Sequence, residues 1–214
     1  MAEARGPVGP DEAYDILRAL SSPLVAITTR RGDRVNGMIA NSALRASLVP
    51  GRQRVANYVF KKHLTHELLV ETGRYVLHLL ARDQWDVIRA LGFESGRERD
   101  KIEDVPHGFT DTWQLPVLEG CVAWMRCEVA NVMDTGASTF FMGDIREVHR
   151  GSGDEVMDSA YFRENAPDAW EEPYRRNLRE TQEQARRMQG EIDDRPWRRL
   201  RRFGADGEGT EGGP

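Results

Sequence analysis

Val35-Asn36-Gly37-Met38-Ile39-Ala40-Asn41-Ser42-Ala43 is the stretch on which the fold turns. Upstream lies a short apolar, β-branched run, Leu24-Val25-Ala26-Ile27-Thr28-Thr29, and between the two sits Arg31-Gly32-Asp33-Arg34. Glycine in that link breaks the chain, so the two runs read as a β-hairpin. The second strand stops at Asn41-Ser42-Ala43, in small and amide residues. An end of that kind lets a flat ligand approach the backbone. Asn41 and Ser42 offer donors and acceptors to a polar ring edge, although the same residues also make an ordinary turn.

Outward from there the pattern stays short and antiparallel. Strand resumes over 44–48, turns at Pro50-Gly51, and returns over 54–60 into Lys61-Lys62-His63-Leu64-Thr65-His66. Two of only three lysines sit here; the third is Lys101. A strand that runs through cations into a helix N-terminus is an anion site, because unpaired N–H groups, the helix dipole and the ammonium groups all favour a phosphate. The helix, 65–72, closes at Gly73. Strand 74–80 follows, then a helix over 84–91 capped by Asp83 and ended by Gly92, then a charged, mobile loop over 94–104. Residues 115–118 lead into the longest strand, 121–133, whose Cys121, Ala123, Met125, Cys127 and Val129 share one face. A turn at 134–137 leads to the return strand, 138–149.

The flanks differ in character. Residues 1–10 read as disordered, and Asp11 caps a short helix to Leu20. The barrel domain is expected over 11–153, a helical extension over 154–203 and a disordered tail over 204–214. Within the extension, 174–192 reads as one helix. Tyr174, Leu178, Thr181, Ala185, Met188 and Ile192 form a thin seam, suited to lying along its own domain or a dimer partner.

Composition bounds the function. The 214 residues carry a net charge of -5, which argues against nucleic acid or an anionic membrane as partner. No apolar run is long enough to span a membrane, and the first ten residues lack the apolar stretch of a signal peptide, so a cytoplasmic protein with Cys121 and Cys127 as free thiols is expected. His63, His66 and Glu67 have helical metal spacing, but H-E-x-x-H is absent and two lysines repel a cation, so no metal is expected. There is no G-x-S-x-G and no P-loop. G-x-G-x-x-G at 207–212 has neither strand before it nor helix after it. The Arg-rich segment 195–202, with glutamates interspersed upstream, reads as solvated surface.

In order and spacing, Thr28-Thr29, Gly37 to Ser42, Ser47-Leu48-Val49-Pro50, Lys61-x-His63-x-Thr65-His66, Gly73 to Leu80, Leu115 to Cys121 and Gly136 to Ile145 resemble the flavin reductase-like family of FMN-binding split barrels. The similarity runs from about residue 20 to 150. It implies a mainly β (α+β) fold: a six-stranded antiparallel Greek-key split barrel with a few flanking helices. It also implies a homodimer with noncovalent FMN (or FAD) near the dimer interface, and hydride transfer from NAD(P)H to the flavin. A monooxygenase supplied with reduced flavin is the implied partner. By the same resemblance, Ala40, Asn41, Ser42 and Ala43 meet the flavin ring, Ser47 the ribityl-phosphate end, and Lys61, His63 and Thr65 the phosphate. Lys61, rather than its neighbour Lys62, is expected to reach it, since adjacent residues at a strand end point to opposite sides.

Two positions depart from the family pattern. Gly136-Ala137-Ser138 stands where many members carry Gly-Asp-His, so Ser138 occupies the slot of a histidine that receives nicotinamide. Arg45 stands where a small hydroxyl residue is common. The first departure keeps a second reading open, a flavin-binding redox or carrier protein without nicotinamide-dependent activity. A split barrel holding another planar ligand, such as haem, is a third.

Overall fold

A computed structural model describes residues 23–188, Pro50 excepted, together with Gly9 and Glu12. The expected disordered ends, the remainder of the helix over 11–20 and the end of the long helix lie outside these residues.

Nine strands and four α-helices follow one another along the described chain. They are β1 Val25–Arg31, β2 Arg34–Ala40, β3 Ala43–Arg45, β4 Arg54–Phe60, α1 Leu64–Thr72, β5 Arg74–Leu79 and α2 Trp85–Phe93. Then come β6 His107–Phe109, β7 Pro116–Leu118, β8 Ala123–Asp134, β9 Ser138–Arg150, α3 Ser159–Asn165, a 3₁₀ turn Asp168–Trp170 and α4 Glu171–Arg187. Seven strands form one antiparallel sheet in the order β2-β1-β5-β8-β9-β4-β3, and β6-β7 form a separate ribbon.

The main sheet has seven strands, not the expected six, and the reason is local. Asn41-Ser42 interrupts what would be one strand. Its first piece, β2, pairs with β1, and its second, β3, pairs with β4. These pieces are the opposite edges of the sheet, yet only two residues join them. In a flat sheet six inter-strand spacings of about 4.8 Å would part the edges by about 29 Å. Three Cα steps from Ala40 to Ala43 reach at most about 11 Å. The sheet must therefore curl until its edges meet, leaving an open half-barrel split at Asn41-Ser42.

Two cores result. Val25, Ile27, Met38, Tyr75, Leu77 and Phe141 fill the barrel interior. Leu24 and Ala26 point the other way, against Val87, Ile88 and Leu91 of α2 and against Ile102. Both faces of β1 are thus covered, which is why its start reads as a continuous apolar run without alternation. Inside the barrel the Tyr75 hydroxyl accepts a hydrogen bond from Asn57 Nδ2 at 2.7 Å. Gly143 is glycine because a Cβ there would overlap that hydroxyl.

Local differences from the sequence reading have physical causes. α2 starts at Trp85 with Gln84, not Asp83, at its N-cap position. Gln84 instead ties neighbouring segments, accepting from Ala81 N at 2.9 Å and donating to the Glu119 carbonyl at 2.8 Å. Gly92 lies inside the helix, where a Cβ would come within 3.3 Å of Ile39 on β2. The charged segment 94–104 is pinned to the body. Lys101 Nζ donates to the Leu91 carbonyl at 2.8 Å and to the Glu94 carbonyl at 2.9 Å, and Ile102 is fully buried. β8 begins at Ala123, and Cys121 lies just before it, donating its thiol to the Leu118 carbonyl.

Two buried polar links join the ribbon to the barrel: Thr28 Oγ1 on β1 donates to the Pro116 carbonyl at 2.5 Å, and His78 makes the other. His78 on β5 is fully buried; its Nε2 accepts from Leu118 N at 3.1 Å and its Nδ1 faces the Ala26 carbonyl at 3.2 Å. Because Leu118 N–H must donate, the ring is the neutral Nδ1–H tautomer. Burial pushes its pKa down from 6.5 to about 4, only partly opposed by the Ala26 carbonyl. The unfolded chain therefore binds more protons across that interval. Stability should fall as pH drops from about 6.5 to about 4, by about 3 kcal/mol from this group alone. His78→Gln keeps one donor and one acceptor but cannot titrate, so urea unfolding across that range should show a shallower loss than in the parent. An identical pH dependence would assign the loss elsewhere.

Candidate functional site

At the break between β2 and β3 a cleft of about 1490 Å³ opens. The barrel wall contributes Met38, Ile39, Ala40, Asn41, Ser42 and Leu44, joined by Tyr58 and Phe140 from β4 and β9. The floor is the β4–α1 junction, Lys62 to Thr65. The segment after α2, including Arg97, Arg99 and Lys101, forms one side, and α3 and α4 the other.

The floor gathers a helix start and cations. α1 has His63 at its N-cap in extended conformation, with no side-chain hydrogen bond to the helix. The first N–H groups of a helix lack the usual partner one turn earlier, and here the helix start, His63 to Thr65, lines the cleft beside Lys62. Thr65 is fully buried and receives a hydrogen bond from Asn36 Nδ2 at 2.8 Å, which fixes its hydroxyl at that end. Arg97 braces the junction, donating to the Lys62 carbonyl at 3.1 Å while paired with Glu67 in the first turn of α1.

Charge at the floor is net positive. His63 faces the open cleft, yet protein packs round the rest of its ring. That desolvation, followed by Lys101, Lys62, His66 and Arg97, lowers its pKa to about 4, so it is a neutral imidazole at neutral pH. Lys101 is lowered to about 8 by its own burial against the opposing pull of Glu94, so it remains mostly cationic at neutral pH. Two backbone carbonyls occupy two of the three ammonium donors.

The wall suits a planar polar ring. Ser42 Oγ donates to the Tyr58 carbonyl at 3.0 Å, closing the corner onto β4. β2 pairs only with β1, so its other edge presents backbone groups toward the break. Apolar side chains flank that edge, and Asn41 supplies an amide. An apolar wall, a polar edge and cations at one end suit a flat ring that carries an anionic tail. A sequence profile of the Flavin reductase like domain matches residues 17–169.

The chain belongs to that family.

Relatives agree with it. The high molecular weight rubredoxin of Moorella thermoacetica is 28% identical over 147 residues, covering 68% of this chain. The match spans 63% of that relative, so less than two thirds of its length is shared. An NADH-dependent FAD reductase of Streptomyces globisporus is 27% identical over 148 residues, covering 68% of this chain and 80% of the relative. The crystal structure of an FMN-binding protein from Thermus thermophilus with bound 1-cyclohex-2-enone aligns with a TM-score of 0.59 at 27% identity. It covers 72% of this chain and 81% of that one.

Within this flavin reductase-like domain the sequence-predicted residues divide. Ala40, Asn41, Ser42, His63 and Thr65 line the cleft together. Ala43 packs against the barrel core. Ser47 accepts from Val49 N at 3.1 Å in a local turn and is not among the lining residues. Lys62, not Lys61, lines the cleft; Lys61 pairs with Asp134 at 3.0 Å. His66 turns from His63 to Thr139 Oγ1, 2.8 Å away, so the two imidazoles diverge. Ser138 is buried at the start of β9, and its carbonyl accepts from Thr135 at the β8–β9 turn. It is not among the lining residues.

Residue typing alone missed Asn36, Arg97, Lys101 and the place of the α4 face beside the cleft. Lys101 carried a signal as the third member of a scarce residue type, and α4 carried one in its seam at Tyr174, Leu178 and Thr181. Asn36 also explains Gly96, where a Cβ would overlap Asn36 Oδ1. Gly96→Ala should cost about 1–3 kcal/mol by prising Asn36 from Thr65. Gly108→Ala, with open space around it, should stay within about 0.5 kcal/mol. Urea midpoints of the two variants check this ordering, and equal midpoints would remove Gly96 from the supports of the site.

Proposed function

We propose that the protein is an FMN-binding reductase that takes hydride from NADH or NADPH and passes the electrons to a partner monooxygenase. The observation that carries this reading is the single cleft joining a ring-sized wall at the strand break to an anion floor at α1. When bound, the flavin would accept a hydride, two electrons and one proton, from a dihydronicotinamide that leaves oxidised.

This chain's own residues position and shield. Lys62 and the first N–H groups of α1 hold the phosphate, with Thr65 fixed beside them by Asn36. Asn41 and Ser42 orient the polar ring edge. Met38, Leu44, Tyr58 and Phe140 keep water from the ring face. No side chain is needed as acid or base, because the flavin itself carries the redox chemistry.

A homodimer completes the proposal. Tyr58, Phe140 and Met133 are register neighbours across β4, β9 and β8. Tyr58 and Met133 are exposed, as is Leu44 on β3, so an apolar sheet face continues from the cleft rim. A surface of that kind fits a second copy and would bring it beside the flavin.

An anaerobic titration tests the activity. NADH or NADPH should bleach the visible absorption of the flavin-loaded protein. Reduction by dithionite but by neither nucleotide would favour a flavin carrier or redox module, the reading that Ser138 suggests. Ligand placement has a separate test. Lys62→Ala should weaken FMN by on the order of tenfold, while Lys61→Ala changes it by less than about threefold. Riboflavin, which lacks the phosphate, should bind both variants like the parent. A larger effect at Lys61 would move the phosphate away from the described floor.

A further inference from the structure

The family match ends at residue 169, but the cleft does not. α4, Glu171–Arg187, lies wholly beyond the matched span and lines the cleft with Tyr174, Asn177, Leu178 and Thr181. Positions i, i+3, i+4 and i+7 make one stripe on a helix. An apolar-to-polar stripe normally buries itself against a core, yet no residue of α4 is buried. The stripe faces the cleft instead of closing it.

That placement is built. Asp158 caps α3, accepting from Ala160 N and Tyr161 N at 2.8 Å each. Arg82 lies 4.3 Å from the Tyr161 ring and pairs with Glu155. Trp170, the residue before α4, packs 5.1 Å from Phe93 and 5.8 Å from Trp85, both on α2. The helix start is therefore held against the body. The outer surface of α4 is stabilised by the pairs Glu171–Arg175 and Glu183–Arg187, which need no other element.

Space and charge indicate what belongs there. At about 1490 Å³ the cleft exceeds the roughly 300–1,000 Å³ of single-ligand sites. A flavin along the β2–β3 wall leaves room between itself and α4. The side toward α4 offers Tyr174 and Leu178 to a flat ring, Asn177 and Thr181 to an amide, and Arg163 on α3 to an anion, with Glu180 also on α4. Ser138 and its turn contribute nothing to this wall.

We propose that α4 is the docking wall for the nicotinamide dinucleotide, which sits between the Tyr174–Thr181 stripe and the flavin. This rests on the reductase reading and adds to it a specificity-determining element outside the family domain. The carboxamide of the ring meets Asn177 and Thr181, and the pyrophosphate turns toward Arg163.

The test is anaerobic stopped-flow reduction of flavin-loaded protein by NADH and by NADPH, in the parent and in Tyr174→Ala, Asn177→Ala and Tyr174→Phe. None of these side chains is in a core, so circular dichroism and melting should match the parent. Tyr174→Ala and Asn177→Ala should raise the apparent nucleotide Kd on the order of tenfold, one lost contact of about 1.4 kcal/mol each. FMN affinity, read from fluorescence, should stay within about twofold, and Tyr174→Phe should restore nucleotide binding. Unchanged nucleotide Kd in a parent that bleaches normally overturns this proposal and leaves the reductase reading intact. Loss of FAD but not FMN affinity overturns it in favour of an adenine at α4, and equal loss of FMN affinity overturns it in favour of a flavin lid. A parent bleached by neither nucleotide overturns both readings.

Discussion

Two residues hold this architecture to its shape. Asn41-Ser42 joins the opposite edges of a seven-stranded sheet, and a link that short forbids a flat sheet. Curling follows, and with it the split. Exposed strand edges are ordinarily a liability, since unpaired N–H and C=O groups recruit other chains. Here the edges are joined by the two-residue link and lie beside the cleft. Ser42 fastens one side by donating to the Tyr58 carbonyl, so the gap neither zips shut nor opens further.

Three cations round that gap are paired before any ligand arrives. Arg97 is tied to Glu67, Arg99 to Glu94 and Asp104, and Lys101 to two carbonyls at the end of α2. Such pairs at the surface add little stability. Their value is geometric. Each fixes a segment, and the positive field at the α1 N-terminus is set by the scaffold instead of by long free side chains. Lys62 carries the flexible charge, and Arg97 holds the Lys62 backbone in place. Preorganisation of this kind reduces the ordering that binding would otherwise cost.

Much of this was legible in the chain and some was not, for reasons that differ by residue. The antiparallel strands, the hairpin at Gly32 and the break at Asn41-Ser42 follow from local chemistry, which sequence displays directly. So does the junction of strand, two lysines and helix start, because its parts are contiguous. Choosing between Lys61 and Lys62 is another matter. Alternation says that one points inward but not which, and the answer depends on Asp134, 73 residues away, drawing Lys61 to the β8–β9 turn. Asn36 was hidden in the same way, since nothing nearby announces that Thr65 is its partner. The segment 94–104 reads as solvated because its charges are evident and its anchors, the carbonyls of Leu91 and Glu94, belong to the backbone.

The C-terminal helix shows how a shared barrel acquires a character of its own. Its seam was visible as Tyr174, Leu178 and Thr181, too thin for a coiled coil and too apolar for an idle surface. Its position came from aromatic residues that periodicity does not connect, Trp85 and Phe93 on α2 with Trp170 ahead of α4. A fold hosts many activities when its variable parts lie over a fixed site. Here the sheet break with the helix start below it lies within the family span, α4 begins beyond that span, and the aromatic clamp sets the distance between them. That distance, more than any single polar contact, determines what fits between the barrel wall and α4.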